Sequence, residues 1–262
     1  MKILLAAKHA PHGPRPIGGV QSWCRTVEAE LVRRGHDVQT WGPGQPPPLG
    51  GHDLGIIANP TDTARAYDWC KKTLTVCHGI IPAESPTGDN VVYTSEEVRA
   101  HWGGDGPIIR QPIDLEFWTP VRSRRRFLTR FSYRGGLPFL PVLAKSLGMI
   151  PKHVRNSSAE EARDVLRESA CVIATGRAAL EAMACGVPVV ICDHRSAYQQ
   201  PLFDPDTTGA MTRNYSGRGG VRPTLDNIKT AVKTAMKNGS MRNHIEENHD
   251  VKNVVNELLE VA

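Results

Sequence analysis

The sequence has no apolar run long enough to cross a bilayer. Its longest, residues 3–7 and 187–192, are of strand length, far below the roughly 20 residues that a spanning helix needs. The opening stretch is too short for a secretory signal and runs into His9, Pro11 and His12 without a cleavage site, so residues 2–7 read as a first β-strand. Cys24, Cys70, Cys77, Cys171, Cys185 and Cys192 show no CxxC spacing and lie mostly inside apolar segments. That pattern favours reduced, buried thiols in a cytoplasmic protein over a disulfide framework or a zinc site. No His/Cys/Asp cluster has metal-ligand spacing, which speaks against a resident metal. Internal repeats, low-complexity tracts and the GxGxxG of a dinucleotide site are also missing.

What is present is an ordinary globular composition, with 40% hydrophobic and 23% charged residues. The 262 residues are long for one domain, comfortable for two, and sufficient to bury a real core. A net charge of +5 suits anionic ligands without demanding nucleic acid. The one strong basic run, Arg122, Arg124, Arg125 and Arg126, reads equally as a solvated linker or a functional patch.

The first 120 residues alternate between strand-like and helix-like segments. Strands are expected at 2–7, 37–41, 53–58, 73–77 and 90–94, with a last short one at 107–110. Helices are expected at 22–34, where Trp23, Val27, Leu31 and Val32 keep helical spacing and Gly35 ends the run, and at 61–70 and 95–101. Repeated β-α-β implies a parallel sheet covered on both faces. The pattern breaks near 112–120, where we place the domain boundary. A second series follows, with strands at 127–132, 152–155, 170–174 and 187–192. Its helices are expected at 137–147, 158–168 (capped by Ser157 or Ser158), 178–184, 224–237 and 241–261. Three segments result: a domain over 1–120, a second over 121–240, and a final helix over 241–262.

The most informative stretch is Gly176-Arg177-Ala178-Ala179-Leu180-Glu181-Ala182-Met183-Ala184-Cys185-Gly186-Val187-Pro188-Val189-Val190. One acidic residue stands among small residues at the start of an apolar helix, and Gly186 passes the chain directly to a strand. The junction sets a carboxylate and helix-end N–H groups at the carboxyl end of a sheet, where α/β proteins bind ligands. Gly18 and Gly19, in Ile17-Gly18-Gly19-Val20-Gln21, lie between the first strand and the first helix, where glycine permits φ > 0 and close approach of a ligand. Arg130 and Arg134, four residues apart before a helix, could each hold a diphosphate bidentately. His78 leaves a strand in His78-Gly79-Ile80-Ile81-Pro82 and could donate to a hydroxyl or phosphate, act as a base, or simply cap the loop. Ser95-Glu96-Glu97 reads as a helix cap, Asp204-Pro205-Asp206 as a turn and 214–220 as an exposed loop.

In its order of motifs the chain resembles the GT-B glycosyltransferases of the GT4-like kind (glycosyl transferases group 1), as a short member. The segment at Glu181 is specific by itself; the glycine loop, His78, the hinge-like stretches 111–114 and 117–120 and the arginine pair add their order. The resemblance implies an α/β GT-B fold of two Rossmann-like domains facing a central cleft, acceptor side first and donor side second, with the final helix returning toward the first domain. It implies transfer of a sugar from a nucleoside diphosphate donor, UDP before GDP, to an acceptor hydroxyl, retaining and without a metal. Glu181 would accept from the ribose hydroxyls. Gly18, Gly19, Arg130, Arg134 and Gly176 would serve the donor, and His78, Arg130 and Arg134 the chemistry. The family's Glu-x7-Glu pattern puts its first glutamate at Ile173, so the donor, the stereochemistry and catalytic competence stay open. The acceptor is a glycan, a small molecule, a protein or a modified base in DNA; a non-catalytic sugar-nucleotide or glycan-binding protein and a nucleotide-sugar epimerase are the other readings.

Overall fold

The computed structural model describes residues 1–13, 18–121, 126–132, 137–193, 202–204, 209–218 and 220–262. The chain forms two compact α/β units: unit 1 is Met1–Pro112 with His249–Ala262, and unit 2 is Ile113–Asn248. Among the described residues no helix is long and apolar enough to cross a membrane.

Unit 1 is built on five parallel strands in the order β2-β1-β3-β4-β5: β1 Lys2–Ala6, β2 Asp37–Trp41, β3 His52–Ala58, β4 Cys70–Cys77 and β5 Val91–Tyr93. The apolar run of β1 follows from burial on both faces. Ile3 and Leu5 pack with Trp23, Val27 and Leu31 of α1 (Gly19–Arg33), while Leu4 and Ala6 pack on the other side with Trp41 and Ala66. Helix α1 stops at the expected glycine. Gly35 takes φ +82°, its N–H donates to Val32 O (2.9 Å) and that of His36 to Leu31 O (3.1 Å), the paired bonds of a glycine-terminated helix. The expected helix at 61–70 is a 3-10 segment, Ala64–Trp69, and the expected strand at 107–110 is a single bridge from Tyr93 to Ile108. Helix α2 spans Glu96–Trp102 and is capped by Ser95, whose Oγ accepts from the Val98 amide at 3.3 Å.

Unit 2 carries four parallel strands with an antiparallel fifth, in the order β10-β9-β8-β6-β7. They are β6 Phe127–Phe131, β7 Ile150–Val154, β8 Ser169–Ala174, β9 Val189–Asp193 and β10 Leu202–Asp204. Strand β10 has no counterpart in the sequence pattern; it ends at Asp204, where a turn is expected, and residues 205 and 206 lie outside the described residues. Every residue of the central β8 is buried. Edge strand β7 carries Pro151, which suits an edge because Pro151 has no N–H to leave unpaired on the outward side, while the inward Ile150 N–H donates to Arg126 O at 3.0 Å. One face packs α3 (Leu140–Ser146) and α6 (Leu225–Asn238) through Leu143, Ile228 and Val232. The other packs α4 (Ala159–Arg167) and α5 (Arg177–Ala184) through Leu166, Leu180 and Met183.

Two boundaries move from the sequence reading. Residues 113–120 belong with unit 2: Ile113 and Trp118 are buried in its core, Arg167 holds Thr119 O at 2.9 Å, and Arg242 holds Trp118 O at 2.8 Å. The single helix expected over 241–261 is two, α7 (Arg242–His249) and α8 (Val251–Val261). Asp250 breaks it, with extended backbone and a side chain that accepts from the Lys252 amide at 3.0 Å. Helix α8 packs on α1 within unit 1. Its Lys252 O accepts from Arg34 at 2.6 Å, and buried Glu30 gathers both Arg33 and Arg34, which hold its carboxyl below the usual range.

Candidate functional site

In unit 2 the chain leaves β8 at Ala174 and turns through Gly176 into α5. Gly176 has φ +54° and ψ −136°, and its amide donates to Tyr215 O at 2.7 Å. With a side chain this backbone would be strained. The space where a Cβ would stand is open, with no atom within 4 Å. One turn further on lies Glu181, 8% exposed, accepting from Arg177 Nε at 3.0 Å. Burial pushes the Glu181 carboxyl above its ordinary range, and the Arg177 guanidinium pulls the other way.

Tyr215, the residue that holds Gly176, is itself fully enclosed, and both it and Asn214 have left-handed backbone (φ 53° and 52°). Two such residues in succession are uncommon and are retained where the surroundings over-determine them. Here the Tyr215 hydroxyl is 2.7 Å from His244 Nε2 on α7. The stretch 214–218, expected to be an exposed loop, is thus an interior buttress of the α5 turn. Nothing in its polar, glycine-rich composition signals that Tyr215 is a core residue.

Of the expected arginine pair, Arg130 alone lies among the described residues. Arg130, on β6, has no exposed surface, and its Nη1 donates to Ile173 O (3.0 Å) and Cys192 O (3.1 Å), carbonyls of β8 and β9. It is a buried cation that ties three strands together. Arg134 lies outside the described residues, as do Arg122, Arg124 and Arg125. Arg126 pairs with Glu168 at 3.1 Å and sits over the Phe127 ring. Ile173 is fully buried in the core that contains Cys171, Val190 and Ile228.

In unit 1, Gly18 is the N-cap of α1 with φ −87°, so neither it nor the helical Gly19 uses the left-handed region for which glycine was invoked. Gly18 instead donates its amide to Gln21 Oε1 at 2.8 Å, and a Cβ at Gly19 would meet nothing within 4 Å.

His78 follows β4 and is 7% exposed. The His78–Gly79 turn is held from several elements. The His78 amide donates to Glu84 Oε2 at 3.0 Å; Thr94, after β5, donates to Cys77 O at 3.2 Å and to His78 O at 3.4 Å; Trp102 of α2 donates to Gly79 O at 3.0 Å. The imidazole meets the Trp23 ring edge-on, with centroids 4.9 Å apart. Glu84 is 2% exposed and also accepts from Asn59 Nδ2, while the Lys8 amide donates to Asn59 Oδ1 at 3.3 Å. Burial pushes the Glu84 carboxyl up to about 7; the His78 amide and Lys8 oppose that, and Asp62 adds to it. Sequence reasoning missed Glu84 and Asn59. Asn59-Pro60 after an apolar strand is the only trace of the second, and Glu84 sits in a stretch of ordinary turn composition.

Among the described residues no group of three or more His, Cys, Asp or Glu could hold a metal ion. None of the six cysteines forms a disulfide, and burial pushes Cys77, Cys171 and Cys185 up to about 12, which leaves them protonated and unreactive. Compared with known proteins, the chain matches no family model, and no curated protein matches it at a significant level.

Proposed function

We propose that this chain is a glycosyltransferase that moves a sugar from a nucleoside diphosphate donor to an acceptor hydroxyl. The observation that carries the reading is the turn from Gly176 to Glu181: a glycine in backbone that side chains disfavour, open space above it, and a buried carboxylate one helical turn on, at the carboxyl end of a parallel sheet. A carboxylate there suits two adjacent ribose hydroxyls, and the α5 N-terminus with Arg177 suits the charge of a diphosphate. The resemblance of this stretch to GT4-like enzymes adds the donor class, with UDP first and GDP second.

In the reaction the bond from the anomeric carbon to the donor phosphate breaks and its electron pair leaves with the diphosphate. The acceptor oxygen bonds to the anomeric carbon and gives up its proton. In a retaining course the leaving phosphate takes that proton; in an inverting course a base such as His78 takes it. Positive groups that meet the leaving diphosphate stabilise the charge that develops.

The test is thermal unfolding of the wild type and of Glu181→Gln with UDP, GDP, ADP, CMP, dTDP and their sugar conjugates. A ligand at a hundred times its dissociation constant adds about 2.7 kcal/mol. At roughly 2–4 °C per kcal/mol that is at least about 5 °C. One nucleotide class should shift the wild type and fail on the variant; no shift with any of them defeats the proposal. A second reading, a sugar-nucleotide-binding protein without turnover, is favoured by Ile173, an apolar core residue where the family has its first glutamate. Binding without transfer or donor hydrolysis on any acceptor would select it.

A further inference from the structure

At the carboxyl end of the unit 1 sheet, three strand ends are joined through one carboxyl group. The Lys8 amide, beyond β1, donates to Asn59 Oδ1; Asn59, beyond β3, donates to Glu84 Oε1; His78, beyond β4, donates its amide to Glu84 Oε2. Both partners of the carboxyl are donors, and Asn59 cannot reverse its amide without facing its own NH2 to the Lys8 N–H. A carboxylate meets two donors with acceptors alone, whereas a carboxylic acid puts a hydroxyl proton on one of the two oxygens. Geometry therefore asks for the charged form in a place where burial opposes it.

We propose that Glu84 is a positioning residue for His78: its ionised carboxylate holds the His78–Gly79 turn, and His78 stands in its working place only while that charge is present. The consequence for turnover rests on the reading that His78 serves glycosyl transfer; the consequence for the turn does not. Among the described residues, the charged and titratable side chains that act on Glu84 or feel it are Lys8, Asp62 and Cys77, and His78 meets it through its backbone amide. Lys8 and Asp62 form a partly exposed pair at 3.3 Å and act on Glu84 in opposite senses. Burial raises Glu84 to about 7, so the charge is gained across neutral pH.

The experiment follows the His78 backbone amide by NMR in the full chain labelled with 15N-histidine, assigned by the signal lost in His78→Gln, from about pH 5.5 to 8.5, a range that brackets an unperturbed histidine as well. In the wild type the amide should move downfield with a midpoint near 7 as its acceptor gains charge. In Glu84→Gln that titration should vanish. Asp62→Asn should lower the midpoint and Lys8→Met should raise it, and these two side chains at the surface leave the core intact if Glu84→Gln does not fold. A wild-type amide that does not titrate, one that titrates equally in Glu84→Gln, or a midpoint indifferent to Asp62 and Lys8 overturns the proposal. Where a donor is turned over, the acid limb of the pH–rate profile should follow the same midpoints in the same variants, and an acid limb that stays put also overturns it. Absence of turnover beside a normal NMR titration instead defeats the transferase reading and leaves the positioning role standing.

Discussion

Replacing Glu84 by glutamine should remove a pH dependence from the stability of unit 1. The Glu84 carboxyl rises from its ordinary 4.5 to about 7 in the folded chain, so the native state holds a proton that the unfolded state has released across that interval. A raised carboxyl stabilises the fold below pH 4.5, where both states are protonated at this site, and that stabilisation drains away as pH climbs toward 7. The interval of 2.5 between the two values, at 1.36 kcal/mol each, sets the loss at about 3 kcal/mol. At 2% exposure, solvent screening takes little from that figure. Glutamine keeps the volume and cannot ionise, but its NH2, unlike the hydroxyl oxygen of the protonated acid, has no lone pair to accept from a donor, which should lower stability at acid pH by about 1–3 kcal/mol. The wild type should therefore lead by about 1–3 kcal/mol below pH 5 and lose about 3 kcal/mol relative to the variant as pH rises through 7, which leaves the variant level with it or up to about 2 kcal/mol ahead.

Urea titrations read by tryptophan fluorescence suit this test, because Trp23, Trp41, Trp69 and Trp102 lie in unit 1 and only Trp118 in unit 2. The difference between wild type and variant cancels the other titrating groups, including Asp53, which Lys71 and the Lys2 amide hold down at about 2, and Glu96, held down by Arg110. A difference that stays constant from pH 4.5 to 8 would refute the argument, since it would mean that Glu84 ionises in the native chain as it does in the unfolded one.

Gly19→Ala, with open space at its Cβ and a helical backbone, should stabilise unit 1 by about 0.5–1 kcal/mol; donor turnover that falls at the same time would mark the helix end as functional, and unchanged turnover would remove Gly19 from the site. Gly104→Ala would drive a Cβ into the ring and hydroxyl of buried Tyr93, so chemical denaturation should show a loss of about 1–3 kcal/mol from the forced repacking. Arg130→Met should destabilise unit 2 by about 2–4 kcal/mol, since it removes charged hydrogen bonds to two strand carbonyls; a variant as stable as wild type in urea would mean that the fold does not depend on Arg130.

The alternation of strands and helices is legible in the sequence because the inner strands are buried on both faces, so that residues 3–6 of β1 and 170–174 of β8 are unbroken apolar runs and α1 shows its buried stripe. What escapes is geometry without a local pattern. β10 has only three residues and takes its pairing from β9, and pairing at a distance leaves no periodicity in so short a run. The helix break at Asp250 has a common capping residue as its sole mark. The units divide at 112/113 and again at 248/249, because Trp118 and Ile113 are apolar enough to join a core and Arg167 and Arg242 are placed to hold the intervening carbonyls. None of that is visible in the Pro-containing stretch 112–120 alone.

The site residues divide by what the fold already asks of them. Arg130 reads in sequence as a cation waiting for an anion, yet β8 and β9 already engage it through their carbonyls. Glu84 reads as a turn residue, yet the fold holds it buried against a rise in its proton affinity and gives it two donors to bind. Residue type alone shows neither set of partners, and the reason is the same. A buried charge is defined by the backbone groups that converge on it, and those come from strands that are neighbours in the sheet but distant in the chain. Gly176 is the contrasting case. Its positive φ, the open space above it and its place after an apolar strand are local properties, and a glycine between an apolar strand and a small-residue helix already signals them in the sequence. The most local feature of the chain is thus the strongest ground for the donor assignment, and the Glu181→Gln ligand-shift experiment is where that assignment stands or falls.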